Sequence, residues 1–288
     1  RLPLADRWNK DVVALLQRIY VNLDEPDGLM GIADLRKTTS LREQILDLEN
    51  RGDWSRALGC YEHALQAKPN HLPHHIGMLR CLRHLGHLET MLIHADGAKS
   101  CVAATPSAAT TLRRFSLQAA WRLGRWDRLE HLLDTADQTD FDACVSRALL
   151  HLRNGDTSGV VAAVGAARQG LQGTLSTAAM ESYAHALRHV VRLHVLHEIH
   201  EAANTCMTTT TGGAVLSEQK LIEARPLWES RLAVTPVSLR AREPILAARR
   251  VMLQIAKADS LTVGATWLAL ADAARAADRP QTARAAAR

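Results

Sequence analysis

The stretch GDWSRALGCYEHALQAKP, residues 52–69, decides the fold. Trp54, Ala57, Tyr61, Ala64 and Pro69 stand at offsets 0, 3, 7, 10 and 15 along it, a helical spacing that closes on a proline. Small residues at Ala57 and Ala64 let two antiparallel helices approach closely, and the aromatic rings of Trp54 and Tyr61 fill the space between them. Proline lacks the N–H that would carry the helix further, so the segment reads as one complete helix with a packing face.

The turn that opens this helix recurs. Gly52-Asp53-Trp54, Gly86-His87-Leu88, Gly124-Arg125-Trp126 and Gly155-Asp156-Thr157 follow one another at intervals of 34, 38 and 31 residues. Intervals near ~34 residues are those of a tetratricopeptide-type helix-turn-helix repeat, with each glycine supplying the left-handed residue that closes one helix before the next begins. The expected fold is all-α, an α-solenoid of antiparallel helix pairs of tetratricopeptide or HEAT-like type; the competing reading is a compact helical bundle. Trp54, Ala57, Tyr61, Ala64, Pro69 and Trp126 are the expected repeat-packing residues.

Repeat-like units are expected over about 31–69, 73–98, 110–137 and 141–171. Ser40 and Glu43 form a capping box ahead of Leu41, Ile45 and Leu48. Upstream, Trp8, Val12, Leu15, Leu16 and Ile19 fall on one helical stripe, and Pro26 suits the first position of a second helix. Ser176 is expected to cap a long helix through about 203, with Met180, Tyr183, Leu187, Val190, Val191, His194 and Ile199 near one face. The Thr-rich run over 204–217 reads as a loop. Pro226, Pro236 and Pro244 mark further starts, and helices fill 226–288, giving one continuous region over 1–288.

Composition narrows the function. The 288 residues are 47% hydrophobic and 23% charged, with 35 Lys and Arg against 30 Asp and Glu. That is ordinary for a folded domain and lies outside the disordered range. The basic residues are scattered and the aromatics number only 11, so neither a basic arm nor a base-stacking platform is indicated, and no direct nucleic-acid partner is expected. No apolar run approaches ~18 residues, so no membrane partner is expected either. The five cysteines are widely spaced without a C-x-x-C pair and read as buried thiols of a reducing, intracellular compartment. Arg at position 1 and an uncapped helical pattern at the end suggest a piece of a longer chain.

Catalytic patterns are missing: there is no GxGxxG, no GxxxxGK[ST] and no G-x-S-x-G. Fourteen histidines invite a metal reading. Yet in the densest group, His185, His189, His194, His197 and His200 with Glu201, the order is H-E-I-H rather than H-E-x-x-H. No catalytic residue, bound cofactor or metal ligand is assigned, and a helical metalloenzyme stands as the weakest of three readings. His71, His74 and His75 read as a polar loop after Pro69. Arg240, Arg242, Arg249 and Arg250 make a candidate interaction surface for carboxylate or phosphate, against the plainer reading of a solvated face pairing with Glu243.

Several segments in order resemble one family. GIADLRKTTSLREQILDLENRGDWSRALGCYEHAL (31–65), AAWRLGRWDRLEHLL (119–133), LSTAAMESYAHALRHVVRLHVLHEIHEA (175–202), WESRLAVTPVSLRAREPILAARRVML (228–253) and WLALADAARAADRPQTARAA (267–286) are similar to the FAT region of phosphoinositide 3-kinase-related protein kinases. The SLREQIL, VRLHVL, REPILAARR and QTA runs point within it to the DNA-damage checkpoint branch. The resemblance implies a nuclear, non-catalytic scaffold that clamps and regulates a kinase domain and carries regulatory protein partners. ATP and Mg are implied only for that kinase domain, which this chain lacks. A free-standing tetratricopeptide-type adaptor is the alternative.

Overall fold

The computed structural model describes residues 10–23, 27, 28, 31, 32, 40–102, 105–210 and 213–287. They are almost entirely helical and divide into two compact units, residues 1–85 and 86–288, where the sequence alone suggests one unbroken region. Trp8 and Pro26 lie outside the described residues.

The first unit contains α1 (Lys10–Leu23), α2 (Leu41–Arg51), α3 (Trp54–Ala67) and α4 (Leu72–His84). The capping box at the start of α2 is formed: Glu43 N donates to Ser40 Oγ, and Ser40 N donates to Glu43 Oε2 at 2.8 Å. Gly52 then closes α2 in the left-handed conformation, φ 70°. Ile45, Ala57, Tyr61 and Cys81 form the buried centre, with Trp54 half-buried beside them and stacked on His84 at 4.0 Å. Ala57 is fully buried and Ala64 nearly so, whereas Pro69 is exposed just beyond the helix end. The Tyr61 ring lies so close to Gly77 of α4 that a Cβ there would overlap it. Its hydroxyl donates to Glu49 Oε1 at 3.0 Å, which ties α3 back to α2. Burial together with that carboxylate raises the phenol pKa. Ala57→Leu is expected to cost ~1–3 kcal/mol through overpacking between these helices, read as a lowered thermal midpoint; an unchanged midpoint would contradict the helix register.

One expectation about this unit changes. His74 and His75 lie within α4 rather than in a loop; His75 is buried with Nε2 2.7 Å from Pro69 O, and His71 is the N-cap. On the stripe of α1, Leu16 is half-buried, while Val12, Leu15 and Ile19 are each more than 40% exposed.

The second unit runs through α5 (Leu88–Cys101), α6 (Pro106–Leu123), α7 (Trp126–Asp134), α8 (Phe141–Arg153), α9 (Thr157–Glu181) and α10 (Tyr183–Thr205). The hairpin β1 (Met207–Thr210) and β2 (Gly213–Leu216) follows, then α11 (Glu218–Ala233), α12 (Leu239–Ile255), α13 (Ser260–Ala276) and α14 (Pro280–Ala286). Successive helices pack as neighbours, α5 on α6, α8 on α9, α9 on α10 and α12 on α13. The unit expected over 73–98 is therefore divided, since α4 packs on α3 while α5 packs on α6. Trp126, at the start of α7, is half-buried against the main core. Gly86, Gly124 and Gly155 all take the left-handed conformation, as their recurrence predicts. The two later turns use Lys257 and Asp278 at φ 58° and 52° instead, so the glycine signal cannot reveal them.

The long helix expected over 176–203 is two helices. Ser182 adopts an extended conformation and both ends α9 and caps α10, receiving His185 N on its hydroxyl at 3.2 Å. Leu171 and Ala178 keep α9 anchored past Ser176, and Met180 and Tyr183 project from the resulting corner into solvent. The Thr-rich run is not a loop throughout: Met207 pairs with Leu216 and Thr210 with Gly213 in an antiparallel hairpin. β-Branched threonines suit the extended backbone, Leu216 is buried beneath it, and Lys220 Nζ donates to Met207 O at 2.7 Å. Pro226 and Pro244 are interior rather than initial. Ser217 and Ser238 cap α11 and α12 earlier, and buried Leu221 and Ala241 hold those first turns against the core. Of the cysteines, Cys81, Cys144 and Cys206 are buried, Cys60 is half-buried and Cys101 is exposed. Burial pushes the Cys81 thiol up to about 12.

Candidate functional site

Helix α12 is the centre of the second unit, because every residue from Ile245 to Leu253 is buried. A helix buried on all sides carries its charged residues inward, and each then needs a partner within reach. Arg249 finds Glu198 of α10, which is wholly buried: Nε donates to Oε2 at 2.8 Å and Nη2 to Oε1 at 2.5 Å. The same guanidinium donates to Trp228 O at 2.7 Å and lies over the Trp228 ring, while His194 Nε2 stands 2.9 Å from Glu198 Oε1. One turn further along α10, Glu201 accepts from Trp228 Nε1 at 2.8 Å and from both Arg231 nitrogens at 2.5 and 3.1 Å. Two carboxylates spaced by three on α10 thus bind α11 and α12 through one tryptophan and two arginines.

The hydrogen bonds from Arg231, then from Trp228, hold the Glu201 carboxyl below its usual range against the opposing effect of burial, and Glu201 in turn raises Arg231. A depressed folded-state pKa contributes stability above the unfolded value of ~4.3, lost as pH falls through the folded value. Acid unfolding should therefore be steeper below about pH 4.3 in the parent chain than in Glu201→Gln; superimposable pH–stability curves would contradict this linkage.

A second cluster lies on the other side of α12. Arg250 is 3% exposed and stacks on Trp267 of α13 at 3.6 Å. Arg122 of α6 stacks on Trp121 at 4.1 Å and donates to both Glu243 oxygens at 3.2 and 3.4 Å. Burial first, and then the neighbouring Arg122, push the Arg250 guanidinium down to about 10, with Glu243 opposing them.

The four arginines expected to form one surface are thus separated. Arg249 and Arg250 face opposite helices inside the unit, Arg242 is half-buried and donates to Thr235 O at 3.3 Å, and Arg240 alone of the four is exposed. Glu243, the partner of the plainer reading, accepts from Arg122 of α6 and acts electrostatically on Arg250. Glu198, Arg231, Trp228, Arg122 and Trp267 are the members of these clusters that spacing does not single out. Their sequence signal is membership in the 119–133, 175–202, 228–253 and 267–286 segments on which the resemblance rests. Helical charge pairs at three or four residues are visible in a sequence; pairs such as Glu198 with Arg249, 51 residues apart, are not.

The histidines of α10 disperse as well. His185 meets Glu181 at 2.8 Å, His200 meets Asn204 at 3.3 Å, and buried His189 has a pKa lowered by desolvation and by Arg192 and Arg188. Among the described residues no group of three or more His, Cys, Asp or Glu is placed to hold a metal ion, and no described helix is long and apolar enough to cross a membrane. What the clusters do is fix the angles between α10, α11, α12, α6 and α13 by directional, charged contacts.

Comparison with known proteins agrees with this architecture. The FAT domain model matches residues 113–286, the span holding both clusters. The serine/threonine-protein kinase ATR of Arabidopsis thaliana is 35% identical over 292 residues, 96% of this chain and 10% of that protein. ATR of Oryza sativa subsp. indica is 33% identical over 297 residues, 98% of this chain and 11% of that protein. The serine/threonine-protein kinase TOR of Arabidopsis thaliana is 25% identical over 281 residues, 87% of this chain. The chain spans about a tenth of the length of the curated ATR relatives it matches.

Proposed function

Because this chain belongs to the FAT-domain family, we propose that it is the non-catalytic helical scaffold of an ATR-like serine/threonine kinase. In that role it clamps and regulates the kinase domain of the same parent protein in DNA-damage checkpoint signalling and repair. The observation that carries the reading is the extent of similarity: identity to the ATR kinases runs over 96–98% of the chain, beyond the residues 113–286 that the family model matches. ATP and Mg belong in this reading to the kinase domain, the partners are that domain and the regulatory proteins of an ATR-like complex, and the compartment is the nucleus.

The physical support is mechanical. Helices stacked on their neighbours pass a small displacement from one contact to the next, and charged contacts that lock crossing angles make the array stiff where it must hold a shape. Such a body acts on a kinase by favouring one of two kinase conformations, which requires it to bind them with different affinity. Incubated with ATP, Mg and a serine-containing peptide, the 288-residue chain alone is expected to transfer no phosphate to the peptide. Turnover that survives purification and scales with the chain would overturn the non-catalytic assignment.

A further inference from the structure

The loop joining α11 to α12, residues 234–238, carries a motif that the two charged clusters do not use. It reads VTPVS, and Thr235-Pro236 is one of two threonine–proline pairs in the chain, the other being Thr105-Pro106. Val234 and Val237 are 84% and 59% exposed, so the loop stands out into solvent, with Thr235 and Pro236 half-buried between them. Proline disfavours helical backbone at the residue before it, which keeps Thr235 out of the helix that ends at Ala233. The Thr235 hydroxyl donates to Arg231 O, in the last turn of α11, at 3.1 Å.

Arg242 meets this loop from α12. Its Nη2 donates to Thr235 O at 3.3 Å, whereas its Nε is buried without an acceptor. Among the described residues no carboxylate pairs with it, so one neutral carbonyl holds a full positive charge at the loop. Arg240 stands exposed two residues earlier on the same helix. The carbonyl that Arg242 touches and the Thr235 hydroxyl belong to one residue, so a group added to that hydroxyl stays within reach of the guanidinium. Thr105 differs: its hydroxyl caps α6 by accepting from Ala108 N at 3.3 Å, and among the described residues no arginine donates to it.

We propose that Thr235 is a phosphorylation site for a proline-directed serine/threonine kinase, and that Arg242 receives the phosphate. In the transfer Oγ attacks the γ-phosphorus of ATP. The Oγ–P bond forms as the bond from that phosphorus to the β–γ bridging oxygen breaks, ADP leaves, and the hydroxyl proton passes to a carboxylate of the kinase. The ester has no hydrogen left to give Arg231 O, and that oxygen repels it, so the phosphate turns from α11 towards α12. There a neutral contact gives way to charge-assisted hydrogen bonds between phosphate and guanidinium. The modification thereby adds a tie across the α11–α12 loop, beside the contacts that Arg249 makes to Glu198 and Trp228 O.

Incubated with ATP, Mg and a cyclin-dependent kinase, the 288-residue chain is expected to gain a phosphate at Thr235, located by peptide mass spectrometry. Thr235→Val should abolish that phosphate and Thr105→Val should leave it in place. No incorporation, or incorporation at Thr105 alone, would overturn the site. Phosphorus NMR reads the receiver: the second ionisation of a phosphothreonine, ordinarily near pKa ~6, should fall in the parent chain and return in Arg242→Gln. The phosphorylated chain should also melt above the unmodified one, by a margin that shrinks as salt is added. Arg242→Lys keeps the charge but not the planar fork; it should give an intermediate ionisation, and it provides the comparison if Arg242→Gln does not fold by circular dichroism. An ionisation equal in the parent and a folded variant, or a melting point that phosphorylation does not raise, would overturn the role of Arg242.

Discussion

Arg249→Met is expected to destabilise the second unit by ~3–5 kcal/mol, because it leaves the fully buried Glu198 carboxylate without its two guanidinium donors, with His194 still beside it. The Arg249 guanidinium meets that carboxylate with two nitrogens and also serves the Trp228 carbonyl, so a single truncation breaks the contacts joining α10, α11 and α12. The double variant Glu198→Leu/Arg249→Met removes the stranded charge as well and should return to within ~2 kcal/mol of the parent chain. Urea titration of the three proteins reads both effects. A single variant as stable as the parent, or a double variant no better than the single, would show that Glu198 and Arg249 are not coupled as described. Arg249→Lys should recover little, since an ammonium cannot present two parallel donors to one carboxylate while also reaching Trp228 O.

Gly155→Ala carries the second large effect. Gly155 has φ 76°, and a Cβ there would overlap the carbonyl oxygen of Ala214 in β2. The left-handed conformation alone costs an alanine ~1–2 kcal/mol. The hairpin backbone must also move, and overpacking of this kind costs a further ~1–3 kcal/mol. Gly124→Ala is the matched control: its φ is 67°, but the nearest atom to a new Cβ is Trp126 Nε1 at 3.6 Å, ordinary contact, so only the conformational cost applies. The Gly155 variant should therefore melt well below the Gly124 variant. Equal midpoints would mean that the hairpin does not rest on the α8–α9 turn.

These two sites mark what the sequence could and could not disclose. Gly155 was legible because a left-handed residue at a recurring interval is a local demand, and the chain writes it as glycine. The helix carrying Trp54, Ala57 and Tyr61 was legible for the same reason: its period and its proline stop are local. The hairpin was not, because four threonines beside two glycines read as turn-formers unless burial of Leu216 and the Lys220 contact to Met207 are known. The break at Ser182 was hidden by an apolar pattern that runs on through Met180 and Tyr183, residues the structure leaves exposed. The arginines of α12 show the larger limit. Spacing places Arg242 and Arg249 on related positions of one helix, but only the neighbouring helices decide that Arg249 and Arg250 point inward to Glu198 and Trp267. The family motifs nonetheless marked the right segments, since the WESRL, HEIHEA and REPILAARR runs meet at Glu198 and Glu201.

The proposed role makes the chain a body that a kinase domain must recognise. The direct measurement is co-purification and activity: the 288-residue chain is mixed with the separately produced kinase domain of an ATR kinase, the mixture is fractionated by size, and peptide phosphorylation is followed with and without the chain. A stable complex with altered peptide turnover is the predicted result, together with weaker association for Arg249→Met under conditions where that variant is folded. Independent elution of the two proteins, with phosphorylation the same in both samples, would contradict the assignment of this chain as the support of a kinase domain.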